Sequence, residues 1–196
     1  MPRKKSHTKD DLVASAMHRF WQYGYEATSL DDLVRATGVS RHGIYSDVGN
    51  KERLYLAGLE AYQKLIVTPA LEGLESVDSG LAEIKSYFET QIALAESIGL
   101  PGPGCLVANA MTETAPHNTA VAKQVEAHNA RLTAGFLKAL KKAAPSLPLR
   151  EQKKLARFLT VTAQGLWSMS RTVDDAKQLR EYVLTLMLLI EERIER

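Results

Sequence analysis

Cysteine is almost absent from this 196-residue chain, and it has no long hydrophobic run. The single Cys105 excludes an intrachain disulfide and a cysteine-rich zinc site, as is typical of proteins in a reducing compartment. The most apolar segment, residues 182–190, is about half as long as a bilayer span requires. The basic residues at the start are followed by polar ones, not by the apolar core of a signal peptide. We therefore expect a cytoplasmic protein without a membrane partner.

Neither sign of charge dominates, and no local catalytic motif is present. Lys and Arg number 25 and Asp and Glu 23, so the formal net charge is +2. The sequence contains no glycine-rich phosphate loop, metalloprotease helix or nucleophile elbow. His117 and His128 lie too far apart along the chain to be strong evidence for a metal site. We expect no enzymatic activity, no catalytic residues, no metal and no cofactor.

Helical periodicity runs through nearly the whole chain. Apolar residues recur at helical spacing, as in Leu12, Ala16 and Phe20, and no segment alternates with the two-residue period of a strand. The sequence therefore predicts an all-α fold of about nine helices. The fourth of these, which begins near Lys51, is predicted to break or kink at Pro69.

The N-terminal part of the chain has the pattern of a helix-turn-helix. Ser29 and Asp32 can form a capping box at the start of a second helix, and Gly38 provides a tight turn before a short third helix capped by Ser40. In a helix-turn-helix the second helix of the pair enters the major groove of DNA. We place a DNA-binding domain with a basic N-terminal arm at residues 1–55, and a larger helical body at 56–196.

Basic and hydrogen-bonding side chains occur where a DNA-reading helix needs them. The arm, residues 1–9, carries no acid and can approach phosphate. Arg41 and His42 begin the third helix, where side chains usually reach base edges. Lys51 adds positive charge at the start of the fourth helix. The residues predicted to contact DNA on this basis are Lys4, Lys5, Arg41, His42, Tyr45, Ser46 and Lys51. The alternatives are a solubilising tail for the arm, a surface charge for Arg41 and a core position for Tyr45.

Four segments within residues 8–56 resemble the DNA-binding domain of the tetracycline-repressor (TetR) family. They are YEATSLDDL at 25–33, ATGVS at 36–40, GIY at 43–45 and NKERLY at 50–55. The resemblance implies an all-helical homodimer that binds double-stranded DNA. It also implies that residues 56–196 form an effector-binding and dimerisation domain, and that a small molecule entering this domain releases the DNA.

The resemblance also implies roles for individual residues. Thr28 or Ser29 would donate a hydrogen bond to phosphate, although either residue can instead be a plain helix cap. Gly43 would face the bases beside Arg41. The chain departs from the family at Asp47, whose carboxylate would repel phosphate. Asp47 is therefore expected to point away, to accept a hydrogen bond from cytosine or to stiffen the turn.

The last helix has apolar residues on every face between 182 and 190, whereas a surface helix of a monomer shows a single stripe. The resemblance implies that the last two helices pair with those of a second copy, and Gly165 would then allow a close helix approach. The predicted interface residues are Leu166, Met169, Tyr182, Val183, Leu186, Met187 and Ile190. The alternative is a central core helix in a monomer.

The segment GCLVAN at 104–109, which continues through Glu113 to His117, is similar to a subgroup of TetR regulators that includes electrophile-responsive repressors. Cys105 follows a glycine-rich loop at a predicted helix N-terminus, where the thiol pKa would be lowered. The alternative is a small buried residue. The residues predicted to bind or sense the effector are Cys105, Asn109, Met111, Glu113, His117, Phe136 and Trp167.

These observations together predict a ligand-responsive transcriptional repressor. It would bind a near-palindromic operator as a homodimer, and a small molecule or modification of Cys105 would release it. The alternative is a helical adaptor that binds other proteins and does not bind DNA.

Overall fold

The computed structural model describes residues 7–195, and this range is all-helical. Nine helical rods are present in it when α4, a π-helical turn and α5 are counted as one, and the predicted all-α fold is confirmed. The α-helices are α1 (Lys9–Tyr23), α2 (Leu30–Thr37), α3 (Arg41–Val48), α4 (Lys51–Tyr62), α5 (Thr68–Glu75), α6 (Leu81–Ile98), α7 (Leu106–Glu113), α8 (Thr119–Ala143), α9 (Leu149–Met169) and α10 (Ala176–Glu195).

Side-chain caps start each of the first four helices. Thr8 and Asp11 form a capping box on α1, and Ser29 and Asp32 form one on α2, both as the sequence predicts. Ser40 caps α3 and Asn50 caps α4 through their side-chain oxygens. These caps satisfy helix N–H groups locally, so the short helices begin at defined residues.

A single apolar core holds α1 to α4 together. Phe20, Leu33, Ile44 and Leu54 are each 0% exposed, and the rings of Phe20 and Tyr55 pack edge to face with centroids 5.0 Å apart. The outer side of α3 remains free of this packing, because Ile44 is the only residue of α3 that is fully buried. The core therefore fixes α3 from one side and leaves its other side at the surface.

The helix that begins at Lys51 does not end at Pro69, so of the predicted break or kink the break is wrong. A π-helical turn, Gln63–Val67, joins α4 to α5 without interruption of the helical backbone. Proline lacks an N–H donor and its ring clashes with the carbonyl four residues earlier. The carbonyl four residues before Pro69 is that of Leu65, which belongs to the wider π turn. The π turn therefore accommodates Pro69, and the helical rod continues from 51 to 75.

The body consists of α5 to α10. Helix α8 packs along α9, and α10 packs against α6. Aromatic rings fill the centre: Phe88 stacks on Phe136 with centroids 5.8 Å apart, and Tyr87 meets both rings edge to face. Within residues 7–195, no helix has the length and apolar character needed to traverse a lipid bilayer.

Candidate DNA-binding surface, effector cavity and dimer face

Four side chains of α3 form an exposed surface that we call the recognition face: Arg41, His42, Tyr45 and Ser46. They lie one turn apart in two pairs, which places them on one side of the helix, opposite the buried Ile44. Four of the residues predicted to contact DNA are thus brought together on the side of α3 that points away from the core. Tyr45 is 45% exposed, so its alternative as a core aromatic is wrong.

Arg41 is paired with an acid of the neighbouring helix. Its Nη2 donates to Asp31 Oδ1 at 2.8 Å, and this hydrogen bond raises the pKa of the guanidinium. More than half of each side chain is exposed, so water screens the pair strongly. The pairing therefore holds Arg41 on the recognition face without burying it. The sequence interpretation did not identify Asp31 as its partner.

Two residues assigned to DNA by resemblance take part in packing, and the assignment of Thr28 is corrected. Thr28 is 0% exposed, and its hydroxyl donates to the Gly24 carbonyl at 2.6 Å, so it cannot reach phosphate. Gly43 is half-buried, and a Cβ there would lie 2.7 Å from Val39 Cγ1, so the missing side chain lets α3 pack closely against the turn before it. Both residues are needed for packing, which the sequence motif alone does not distinguish from contact with DNA.

Ser29 is exposed but is engaged in the cap of α2. Its hydroxyl donates to Asp32 Oδ2 at 2.6 Å and accepts from the Asp32 N–H at 3.1 Å. The hydrogen bonds from Ser29 are the largest cause that holds the pKa of Asp32 well below its usual range. The cap role that the sequence offered as an alternative is thus present.

Lys51 and Asp47 lie at the two ends of the turn that follows α3. The Lys51 ammonium lies 4.1 Å from the centre of the Tyr25 ring, a cation–π contact at the start of α4. Asp47 Oδ2 lies 3.0 Å from His7 Nε2, so its carboxylate is turned toward the N-terminal arm. Lys4 and Lys5 lie outside the described residues.

An apolar cavity is lined by α1, by the rod from 51 to 75, by α6, by the loop before α7, and by α8 and α9. Its enclosed space measures about 40 Å³, which is room for a few water molecules. We call it the effector cavity. Its hydrogen-bonding side chains are those of Trp21, Tyr62, Tyr87, Gln91, Cys105, His128, Trp167 and Ser170, and none of its lining residues carries a charge at neutral pH.

Cys105 lines the effector cavity at the N-cap of α7, but its pKa moves in the opposite direction to the prediction. The residue is only 7% exposed, and burial raises the pKa of the thiol. The Tyr62 hydroxyl and backbone N–H groups of α7 lower the pKa by less than burial raises it. Desolvation outweighs the helix N-terminus here, because an anion without water in an apolar lining is costly.

Of the other predicted effector residues, Trp167 lines the cavity and the rest do not. Phe136 is a fully buried core ring, and Asn109 donates to the Pro103 carbonyl at 2.9 Å. Met111 is half-buried, with its sulfur 4.0 Å from Asn129 Nδ2, and His117 is exposed on a short 3₁₀ turn. Glu113 instead contacts the turn between α1 and α2.

His128 is the cavity residue that the sequence interpretation undervalued. It is 6% exposed, and its Nδ1 lies 2.9 Å from Gln63 Nε2 in the π turn. Burial lowers its pKa to about 4, and the charge of Arg131 acts in the same direction. Its position on the inner stripe of α8, seven residues after Val121, is the sequence signal that places it inside. No group of three or more metal-ligating side chains occurs between residues 7 and 195.

The predicted dimer interface is corrected on five of its seven residues. Leu166, Val183, Leu186, Met187 and Ile190 are at most 5% exposed and pack in the subunit's own core. Met169 and Tyr182 are 41% and 45% exposed, and α9 and α10 carry further exposed apolar side chains. This apolar stripe consists of Phe158, Val161 and Met169 on α9 and Tyr182, Leu184, Leu188 and Leu189 on α10.

The stripe has a signal in the sequence that was missed. Phe158, Val161, Gly165 and Met169 follow each other at spacings of three and four, beside the inward stripe of α9. A Cβ at Gly165 would meet no heavy atom within 4 Å, so a neighbouring helix has room to approach there.

Comparisons with known proteins agree with this architecture. Residues 12–57 match the family described as bacterial regulatory proteins, tetR family. The chain is 30% identical over 200 residues to the HTH-type transcriptional repressor ComR of Escherichia coli (strain K12), covering 98% of this chain and 93% of the relative. It is 27% identical over 188 residues to the uncharacterized HTH-type transcriptional regulator YezE of Bacillus subtilis (strain 168), covering 93% and 96%.

Solved structures share the fold at lower identity. A cysteine mutant of the TetR family transcriptional regulator CifR, complexed with 26-base-pair operator DNA, superposes with a TM-score of 0.81 at 23% identity, over 94% of this chain and 98% of that one. A TetR regulator from Chloroflexus aurantiacus J-10-FL gives 0.81 at 22% identity, over 93% of each chain. The near-full-length match to a curated repressor, together with the helix-turn-helix described above, shows that the chain belongs to the tetR family of bacterial regulatory proteins.

Proposed function

We propose that this transcriptional regulator is a homodimeric repressor that binds a near-palindromic operator and releases it when a small molecule occupies the effector cavity. The observation that carries the proposal is the recognition face, four exposed hydrogen-bonding side chains on a helix whose other side is locked into the core. Such a helix can enter the major groove with Arg41 and His42 leading. The proposed division is a DNA-binding domain at 1–55 and an effector-binding and dimerisation domain at 56–196.

The DNA-contacting set that we propose is smaller than the set from sequence. It retains Ser29, Arg41, His42, Tyr45, Ser46 and Lys51, together with Lys4 and Lys5 of the arm. Arg41 exchanges Asp31 for a base edge, and the exposed, screened pair costs little to open. Asp47, turned toward His7, stays away from phosphate.

The apolar stripe supports a dimer. It exposes seven large apolar side chains on α9 and α10, whereas exposed apolar residues on a monomer are usually scattered singly. Pairing two copies through this stripe gives two recognition faces related by a twofold axis. Such a pair reads half-sites about 34–36 Å apart, which is the reason for a near-palindromic operator.

The lining of the effector cavity favours a neutral, largely aromatic ligand. Its walls are apolar and aromatic, with hydroxyl, amide and imidazole groups to orient the ligand and no charge to neutralise an ion. The enclosed space is far below the roughly 300 Å³ that a typical ligand pocket provides, so binding must expand it. The rod that contains α4 would shift as a lever, and the ligand must bind the DNA-incompetent state better for release to follow.

Modification of Cys105 by an electrophile entering the same cavity is the second candidate, and it would place the chain in the electrophile-responsive subgroup. The position of Sγ in the lining favours it, whereas the raised pKa of the thiol opposes it. Treatment with N-ethylmaleimide should abolish DNA binding of the native chain and spare Cys105→Ser if this candidate is correct. Equal responses of the two proteins would eliminate it.

Selection from a random duplex library tests the main proposal. The purified chain should enrich a near-palindromic sequence and bind it with a steep salt dependence, because phosphate contacts release counterions. The selected duplex should occur beside the gene encoding the chain, where footprinting can locate it. A protein adaptor would enrich no sequence and would bind duplex DNA no better than a neutral control protein.

A further inference from the structure

A carboxylate joins the C-terminal end of α7 to the DNA-binding unit. Glu113 Oε2 accepts a hydrogen bond from the Tyr25 N–H at 3.0 Å, and Oε1 accepts one from the Glu26 N–H at 2.9 Å. Both N–H groups belong to the turn between α1 and α2. One side chain of the body thus satisfies two consecutive backbone donors of the DNA-binding unit, an arrangement that strengthens when the acceptor is ionised.

The backbone of the turn is shaped for this carboxylate. Gly24 has a φ of +85°, a conformation that favours glycine. A Cβ at this position would lie 2.8 Å from Glu113 Oε1, closer than such atoms approach. Any other residue at 24 would therefore displace the carboxylate.

The same turn sets the position of groups that face DNA. The Tyr25 ring packs on Tyr55 with centroids 4.8 Å apart and on Phe20 with centroids 6.0 Å apart, and the Lys51 ammonium lies 4.1 Å from the centre of the same ring. The Gly24 carbonyl accepts from Thr28, which precedes the Ser29 cap of α2. A displaced turn would move both Lys51 and the start of α2, and α2 leads through the Gly38 turn into α3.

The other end of α7 lies at the effector cavity. Cys105, its N-cap, lines the cavity, and the Gly104 carbonyl accepts a hydrogen bond from Trp21 Nε1 at 2.8 Å. Helix α7 has eight residues and spans about 12 Å. A single short helix therefore connects the cavity wall to the turn between α1 and α2, separately from α4.

We propose that Glu113 is a positioning residue that holds this turn in the DNA-binding arrangement, and that displacement of α7 at the effector cavity withdraws it. The inference rests on the proposed function and adds a second connection to the lever formed by α4. It gives Glu113 a role in release although the residue does not line the cavity.

Substitution Glu113→Gln tests the positioning role. The amide keeps one acceptor but presents an NH₂ group to the second N–H, so affinity for the selected duplex should fall about tenfold, which corresponds to about 1.4 kcal/mol. Hydrogen exchange at the Tyr25 and Glu26 amides should accelerate by a similar factor. Glu126→Gln, which removes the same charge from an exposed position on α8, should change neither quantity.

A second pair of variants separates positioning from general stabilisation. Ile92→Val truncates a fully buried side chain of α6 and should lower stability while leaving DNA affinity as in the native chain. Gly24→Ala should reproduce the affinity loss of Glu113→Gln, and the double variant should be no worse than either single one, because both break the same contact.

Alkylation of Cys105 with N-ethylmaleimide, driven to completion, tests the coupling. The adduct exceeds the volume of the cavity, so exchange at Tyr25 and Glu26 should accelerate in the native chain and stay unchanged in Cys105→Ser. Unchanged exchange in the fully alkylated native chain would overturn the coupling.

Native affinity of Glu113→Gln for the duplex would overturn the positioning role, even with faster exchange at the turn. A native chain that binds no selected duplex would overturn the proposed function, and this inference with it.

Discussion

At the scale of single residues, burial decides the chemistry of the titratable groups around the effector cavity. His128 and Cys105 both lose water on folding, so their neutral forms are favoured. A group whose pKa falls on burial binds fewer protons in the folded state than in the unfolded chain. Stability then rises with pH in the interval between the two pKa values.

His128 should therefore make the protein less stable in mild acid. Its pKa is about 4 in the folded protein and about 6.5 in the unfolded chain, so its contribution to stability is present above pH 6.5 and is lost as the pH falls toward 4. Between pH 7 and pH 5 the free energy of unfolding should drop by about 2 kcal/mol. Urea titrations of the native chain and His128→Gln at both pH values measure this loss. An equal loss in the two proteins would contradict it.

Arg41 should read a base and not merely add charge. Arg41→Ala should cost about 1–3 kcal/mol of binding and relax sequence preference at one base pair in each half-site. Binding measured across all single-base variants of the selected operator provides the check. Arg150→Ala, which removes an exposed charge at the start of α9, is the control and should leave the preference unchanged. Uniform weakening over all sequences would reduce Arg41 to a phosphate contact.

At the scale of helices, local signals fix where each begins, and packing fixes which side faces outward. The boxes at Thr8 and Ser29 are visible in the sequence because capping depends on residues three apart. The continuation past Pro69 is not, since it depends on a π turn that widens the helix. Helix α3 shows both kinds of feature. Its cap at Ser40 can be predicted from the sequence, whereas the need for glycine at 43 becomes visible only in the close packing against Val39.

Gly43→Ala should displace α3 within the DNA-binding unit. Its Cβ would lie 2.7 Å from Val39 Cγ1, so the helix or the preceding turn must shift, at a cost of about 1–3 kcal/mol. Thermal unfolding and operator binding should both weaken. Gly73→Ala in α5 is the matched control, because its Cβ finds ordinary contact at 3.8 Å and should stabilise the helix by up to about 1 kcal/mol. Native-like DNA affinity of Gly43→Ala would show that α3 absorbs the methyl group.

At the scale of the whole molecule, a single subunit leaves the apolar stripe exposed to water. Val161 is 70% exposed and Leu188 is 67% exposed, on the two helices that the family resemblance assigns to the dimer. The same helices bury Leu166 and Ile190 inside the subunit, so each helix has one apolar side in the core and another at the surface. A dimer would cover the outer surface and bring two recognition faces onto one operator.

Val161→Glu should prevent dimerisation, because it places a carboxylate in the centre of the stripe without a partner. Analytical ultracentrifugation at micromolar concentration should show a subunit mass of 21.7 kDa, and operator binding should be lost with the dimer. Val77→Glu makes the same change at a residue that is 88% exposed outside the stripe, and it should remain dimeric. A dimeric Val161→Glu variant would place the interface elsewhere.

The sequence by itself determined the helices, their caps, the helix-turn-helix and the family, because periodicity, capping and turn chemistry depend on neighbours a few residues apart. The tertiary structure alone decided that Thr28 is buried, that Cys105 has a raised pKa and that four of the five interface candidates on α10 face inward. It also brought Glu113 to the turn at Gly24. These outcomes depend on contacts between residues that are far apart in the sequence. Such contacts set which groups lose water and how closely two atoms approach, and local sequence patterns do not specify them.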